Sequence, residues 1–111
     1  MKWPDTVSDL LKEDIVLSWH AGWQLGQRGQ IGHFEGIDRV AFGVMSKGVI
    51  VGGQIGNQLL IKTECNHNGR DPIELAFVLS KRRGYWLVKT VLTWDMAVAN
   101  KESMLGYSGE V

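Results

Sequence analysis

Among 111 residues there is one cysteine, Cys65, and there are only two prolines. A lone cysteine excludes an internal disulfide framework and any multi-cysteine zinc site. It points to a reducing compartment. Long hydrophobic runs are also missing, since no stretch approaches the roughly eighteen apolar residues of a membrane span. The opening Met1-Lys2-Trp3-Pro4-Asp5 lacks the apolar stretch of a secretion signal. The expectation is therefore a soluble, cytoplasmic chain with no membrane partner. Excess charge of one sign is absent too: 12 Lys+Arg offset 12 Asp+Glu. That balance argues against broad electrostatic adhesion to nucleic acid.

What is present begins with enough apolar material to fold. Hydrophobic residues make up 44% of the chain, and the length suits one domain spanning 1–111. The balanced charge is unevenly placed. Asp5, Asp9, Glu13 and Asp14 crowd the start, whereas Lys81, Arg82, Arg83 and Lys89 cluster without an acid among them. Such a basic patch can bind phosphate, although a solvated hairpin tip is the simpler reading of 81–83. Five tryptophans are a further surplus, and tryptophan by itself reads as core or interface.

The apolar periodicity puts helices first and strands after. Asp5 or Thr6 can cap a short helix with a Val7, Leu10, Leu11 stripe. Ser18 can cap a second helix over Trp19–Arg28, with Gly29 as its stop. The spacing of Ile37, Val40, Ala41 and Val44 predicts a third, from Phe34 to Lys47, with Gly48 just beyond. Strands follow at Val49–Val51, Gln58–Glu64, Ile73–Leu79 and Tyr85–Thr93. Gly52-Gly53-Gln54-Ile55-Gly56 reads as a turn. In the last strand, alternation places Trp86, Val88, Thr90 and Leu92 on one face. Asp95 can cap a final helix from Met96 to Leu105, ended by Gly106. These elements predict an α+β domain: N-terminal helices packed on a four-stranded antiparallel sheet, with a short C-terminal helix or tail.

Most familiar chemistries find no support in the sequence. His20, His33 and His67 lack HxxxH or HExxH spacing, and Cys65 with His67 supplies only two ligands, so no metal and no cofactor are expected. There is no Walker A motif, no GxSxG elbow and no marked pair of carboxylates. Cys65 reads as a small buried hydrophobe. One constellation remains. His20, Gln24 and Arg28, at i, i+4 and i+8, lie along one side of a helix. Lys89 and Thr90 interrupt an apolar strand. Imidazole exchanges protons near neutrality, while guanidinium and ammonium groups can brace a phosphorane. These are the parts of metal-independent RNA cleavage. From spacing alone, a solvated helix face and an exposed strand lysine are the simpler reading.

The order Ser18-Trp19-His20-Ala21, Arg28-Gly29, a second helix ending at Gly48, then Trp86-Leu87-Val88-Lys89-Thr90 resembles the Barnase–EndoU–Colicin–RelE-like (BECR) ribonuclease superfamily. The resemblance covers residues 15–93. It implies that His20 is the general base or acid, that Arg28 clamps phosphate, and that Lys89 and Thr90 contact the scissile phosphate or the 2′-hydroxyl. Lys62 and Thr63 are weaker extras, suggested by position. Gln24 departs from the family, which often has arginine there, and the run Gln30–Phe34 between the helices is a second departure. The resemblance implies a small endoribonuclease, a bacterial or phage toxin or regulator. Its substrate would be RNA, its product a 2′,3′-cyclic phosphate, and its protein partner a cognate antitoxin or immunity protein. Gln24, Lys62, Lys81, Arg82 and Arg83 would then bind substrate. The chain could act as a free toxin or as the tip of a larger secreted one. The alternative is a non-catalytic module of the same fold that binds RNA or a partner protein, and the missing arginine at 24 favours it.

Overall fold

The β-branched and aromatic runs of the second half all enter one sheet. The structure, a computed structural model, describes residues 3–32, 34–55 and 57–99, and at 52–55 the backbone alone. In chain order the elements are α1 (Val7–Leu10), β1 (Ile15–Leu17), α2 (Trp19–Arg28), α3 (Ile37–Ser46), β2 (Val49–Ile55), β3 (Gln58–Cys65), β4 (Ile73–Arg82), β5 (Tyr85–Thr93) and α4 (Trp94–Ala99). The α+β class agrees with the sequence. His33, Gly56, Leu105 and Gly106 lie outside the described residues.

The sheet corrects the sequence expectation. It has five strands in the order β1-β5-β4-β3-β2, not four. Strands β2 to β5 form an antiparallel meander, whereas β1 lies parallel to β5, with Ile15 opposite Trp86 and Leu17 opposite Val88. Three residues are too few to show a period of two, which is why Ile15-Val16-Leu17 gave no strand signal. A parallel pair needs a long crossover. Here α2, α3 and three strands supply it.

Local chemistry sets the helix ends. The Thr6 hydroxyl accepts from the Asp9 amide at 3.1 Å and the Ser18 hydroxyl from the Ala21 amide at 3.0 Å, as N-caps do. α3 starts at Ile37 rather than Phe34, because Gly36 adopts φ 86° at its N-cap. α2 ends with Gly29 as its C-cap, as expected, but Gly29 itself is right-handed at φ −82° rather than left-handed. Gln30 takes that conformation at φ 58°, while the Ile31 amide donates to Gly26 and the Gln30 amide to Gln27, a Schellman ending. Gly29 is needed for closeness instead: a Cβ there would sit 3.1 Å from the buried Cys65 sulfur and 2.7 Å from the Leu25 carbonyl. β2 also runs on through Gly52 and Gly53, where a turn was expected. The last helix begins early, at Trp94, with the Thr93 hydroxyl accepting from the Met96 amide at 3.3 Å.

Two apolar layers flank the sheet. On one face α1, α2 and α3 pack Leu10, Leu25, Ala41, Val44 and Met45 against Leu59, Ile61, Phe77, Leu79, Trp86, Val88 and Val91. On the other, Trp94 and Ala97 of α4 meet Leu60, Ala76 and Val78. Among the described residues no helix is long and apolar enough to cross a membrane.

Alternation in β5 breaks at Lys89. Leu79 pairs with Val88 and Val78 with Thr90, so Lys89 is an extra residue, a β-bulge. The bulge inverts the parity that follows. Val91, not Thr90, continues the face of Trp86 and Val88, and Leu92 packs on the α4 side. The face assignment read from simple alternation therefore holds only up to Val88.

Gly48 shows how tightly α3 is tied to the sheet. A Cβ there would lie 2.7 Å from both the Ile61 side chain and the Lys62 carbonyl, and 2.8 Å from the Thr63 Cβ. Gly48→Ala should therefore lower the unfolding free energy by about 1–3 kcal/mol. Urea denaturation would read this as a lower midpoint with an unchanged slope.

Candidate functional site

A β-strand with one short neighbour has an edge to satisfy, and this need builds the site. Along the outer side of β5, Trp86 donates its amide to the Asp14 carbonyl at 2.8 Å, and Val88 accepts from the Ser18 amide at 3.2 Å. There β1 ends and α2 begins. Beyond that point the strand's outward peptide groups would be orphaned. Side chains of α2 take over. Gln24 Oε1 accepts from the Val91 amide at 2.9 Å, and the Arg28 guanidinium donates to the Val91 carbonyl. Gln24, only 6% exposed, stands where a neighbouring strand's peptide would be.

The same amide links helix and strand further. Thr90 Oγ1 donates to Gln24 Oε1 at 2.7 Å, and Gln24 Nε2 lies 2.9 Å from His20 Nε2. The Val91 backbone N–H can only donate, so the Gln24 oxygen must face it and the Gln24 nitrogen must face His20. His20 Nε2 is then an acceptor, and the ring carries its proton on Nδ1. The Trp23 indole stacks beside this imidazole, with centroids 6.4 Å apart and planes 15° apart. His20 itself is exposed. α2 contains no acidic residue, and Arg28 in its last turn sits favourably at the helix's negative end.

His20, Gln24 and Arg28 of α2 and the sequence-distant Thr90 thus meet in one hydrogen-bonded group. Lys89 occupies the bulge beside them, exposed to solvent. The other expected substrate contacts lie elsewhere. Lys62 is two strands away, in register with Ala76 on the α4 side. It pairs with Glu74 at 3.3 Å and lies 4.6 Å from the Trp94 ring centre. Thr63 is buried and donates its hydroxyl to the Val44 carbonyl at 2.6 Å, a structural tie between β3 and α3. Lys81 reaches back to Glu13 at 3.1 Å over the Trp86 ring. Arg82 and Arg83 are exposed at the β4–β5 hairpin tip. From Tyr85 to Thr90 is about 17 Å of strand, so these two are outlying cations.

Sequence reasoning missed the bulge, the outward peptide group of Val91, and Trp23 as the partner of His20. The bulge left one legible trace: buried valines three apart, at 88 and 91, break a period of two. Among the described residues no three His, Cys, Asp or Glu side chains are grouped to hold a metal ion. Cys65 is a free, fully buried thiol.

Comparison of the chain with protein-family models, with curated proteins and with solved structures finds no match.

Gln24→Leu keeps most of the side-chain volume but removes the acceptor for Val91 and Thr90. It should cost about 1–3 kcal/mol of stability through the orphaned amide. Urea denaturation would give the loss, and hydrogen exchange should show the Val91 amide losing protection.

Proposed function

We propose that this chain is a small metal-independent endoribonuclease, a toxin or regulator of bacterial or phage type acting in the cytoplasm. The observation that carries the reading is the convergence of His20, Gln24 and Arg28 of α2 on Thr90 in β5, with Lys89 at the adjoining bulge. Of these, the resemblance to BECR ribonucleases marks His20, Arg28, Lys89 and Thr90, and Gln24 joins His20, Thr90 and, through the Val91 backbone, Arg28 in one hydrogen-bonded network. RNA is the substrate because the chemistry uses its own 2′-hydroxyl.

In this mechanism the substrate's 2′-hydroxyl displaces the Gln24 amide from His20 Nε2. The imidazole takes the hydroxyl proton as the 2′-oxygen bonds to phosphorus. The bond from phosphorus to the 5′-oxygen breaks, and the leaving oxygen receives a proton from the imidazolium. The products are a 2′,3′-cyclic phosphate and a free 5′-hydroxyl. The released Gln24 N–H and the cations Arg28 and Lys89 stabilise the charge that builds on the nonbridging oxygens. Thr90, held by Gln24, orients the group, while Arg82 and Arg83 draw in the RNA backbone from a distance. An antitoxin or immunity protein would cover the same surface with acidic side chains.

One observation favours a second reading, a non-catalytic module that binds RNA or a protein. The Gln24 amide occupies the imidazole lone pair that a general base needs, and Gln24 and Arg28 both serve the backbone of Val91.

Incubation with total RNA, ribosomes and tRNA in EDTA separates the two. The endoribonuclease reading expects discrete fragments with cyclic-phosphate ends and a loss of at least about 100-fold in rate for His20→Ala, with its melting curve unchanged. Intact RNA with the wild-type protein leaves the binding module.

A further inference from the structure

The exposed side of α2 carries two large apolar rings that the proposed chemistry does not use. Trp19 is 77% exposed and Trp23 is 43% exposed, whereas Trp86 and Trp94 are buried. Four residues apart, the two indoles stand about 6 Å apart along the helix and share a face. Leaving such area in water is unfavourable, and this area adjoins the site directly: Trp23 lies stacked against His20.

The charges around the pair are lopsided. On the His20 side stands Arg28, two turns further along α2, whose guanidinium reaches the Val91 carbonyl. On the far side Trp19 borders an open pocket of about 270 Å³ that Phe34, Glu35 and Asp38 also line. A polyanion is drawn to the first flank and repelled from the second. The indoles between them are apolar and face solvent. A nucleic-acid strand has this arrangement, phosphates along one edge and flat rings along the other. A duplex keeps its base faces stacked on one another, so only an unpaired strand can offer them.

We infer that Trp23 and Trp19 form a stacking platform for unpaired bases of a single-stranded RNA whose phosphates run along the His20–Arg28 side. This rests on the reading that the site takes RNA, and it narrows the substrate to single-stranded segments with little preference among bases. A base laid on Trp23 extends a stack that already includes the imidazole, which places its own ribose and phosphate beside His20.

The test uses the full chain and a short 2′-O-methyl oligoribonucleotide, which binds but lacks the attacking hydroxyl, alongside cleavage of an unmodified RNA of the same sequence. Titration should quench tryptophan emission. Trp23→Leu and Trp19→Leu should each weaken affinity about tenfold and together abolish the quenching, while a duplex of the same sequence binds more weakly than the single strand. Both side chains are exposed, so the melting temperature should stay close to that of the wild type. Oligonucleotide affinity and quenching unchanged in the double variant would overturn the platform even if the RNA is still cleaved. So would an emission shift that follows protein concentration alone, because a second copy would then be covering the indoles. Quenching that needs both tryptophans, without cleavage of the unmodified RNA, would keep the platform and remove the ribonuclease reading.

Discussion

The outward peptide group of Val91 has to find hydrogen-bond partners, and much of the molecule is arranged around that need. β1 ends three residues short of it, and α2 supplies Gln24 and Arg28 as substitutes for a neighbouring strand. A buried amide left without a partner costs about 1–3 kcal/mol, a large share of a small domain's margin. Holding Gln24 to that duty fixes the rotation of α2 about its axis. It also fixes which residues of α2 face the strand and which face water.

The site follows from the same constraint. With its oxygen turned to Val91 and Thr90, the Gln24 amide must turn its nitrogen to His20. One backbone donor thereby sets the imidazole tautomer two steps away. Gln24 is therefore an integral part of this fold. An arginine offers no acceptor, and could not receive the Val91 amide. Gln24 sets how the site is held and how its imidazole is reached, which is why the enzyme and binding readings turn on this one side chain.

Much of the fold was legible beforehand because local patterns recorded it. Ser18 as a cap, the limits of α2 and the span of β5 follow from capping chemistry and apolar periodicity, which act within a few residues. The strip His20, Gln24, Arg28 was visible as helical spacing. β1 was not legible, because three apolar residues carry no period, and its parallel pairing joins segments about 70 residues apart. The bulge at Lys89 was missed because alternation was assumed to continue, although Val88 and Val91 already contradict it. Lys62 and Lys81 looked available in the sequence, yet each faces a carboxylate and an aromatic ring in the fold.

By itself the sequence determined the types of most elements, though not β1, the α+β class, and the residues with chemistry to offer, since these depend on side-chain identity and short-range spacing. Only the tertiary structure decided that β1 would complete the sheet beside β5 and that a bulge would invert the face after Val88. It alone brought His20, Gln24, Arg28 and Thr90 together and sent Lys62 to the opposite side. Those outcomes depend on which edge of which strand lacks a partner. Long-range pairing makes that choice, and no local window of sequence contains it.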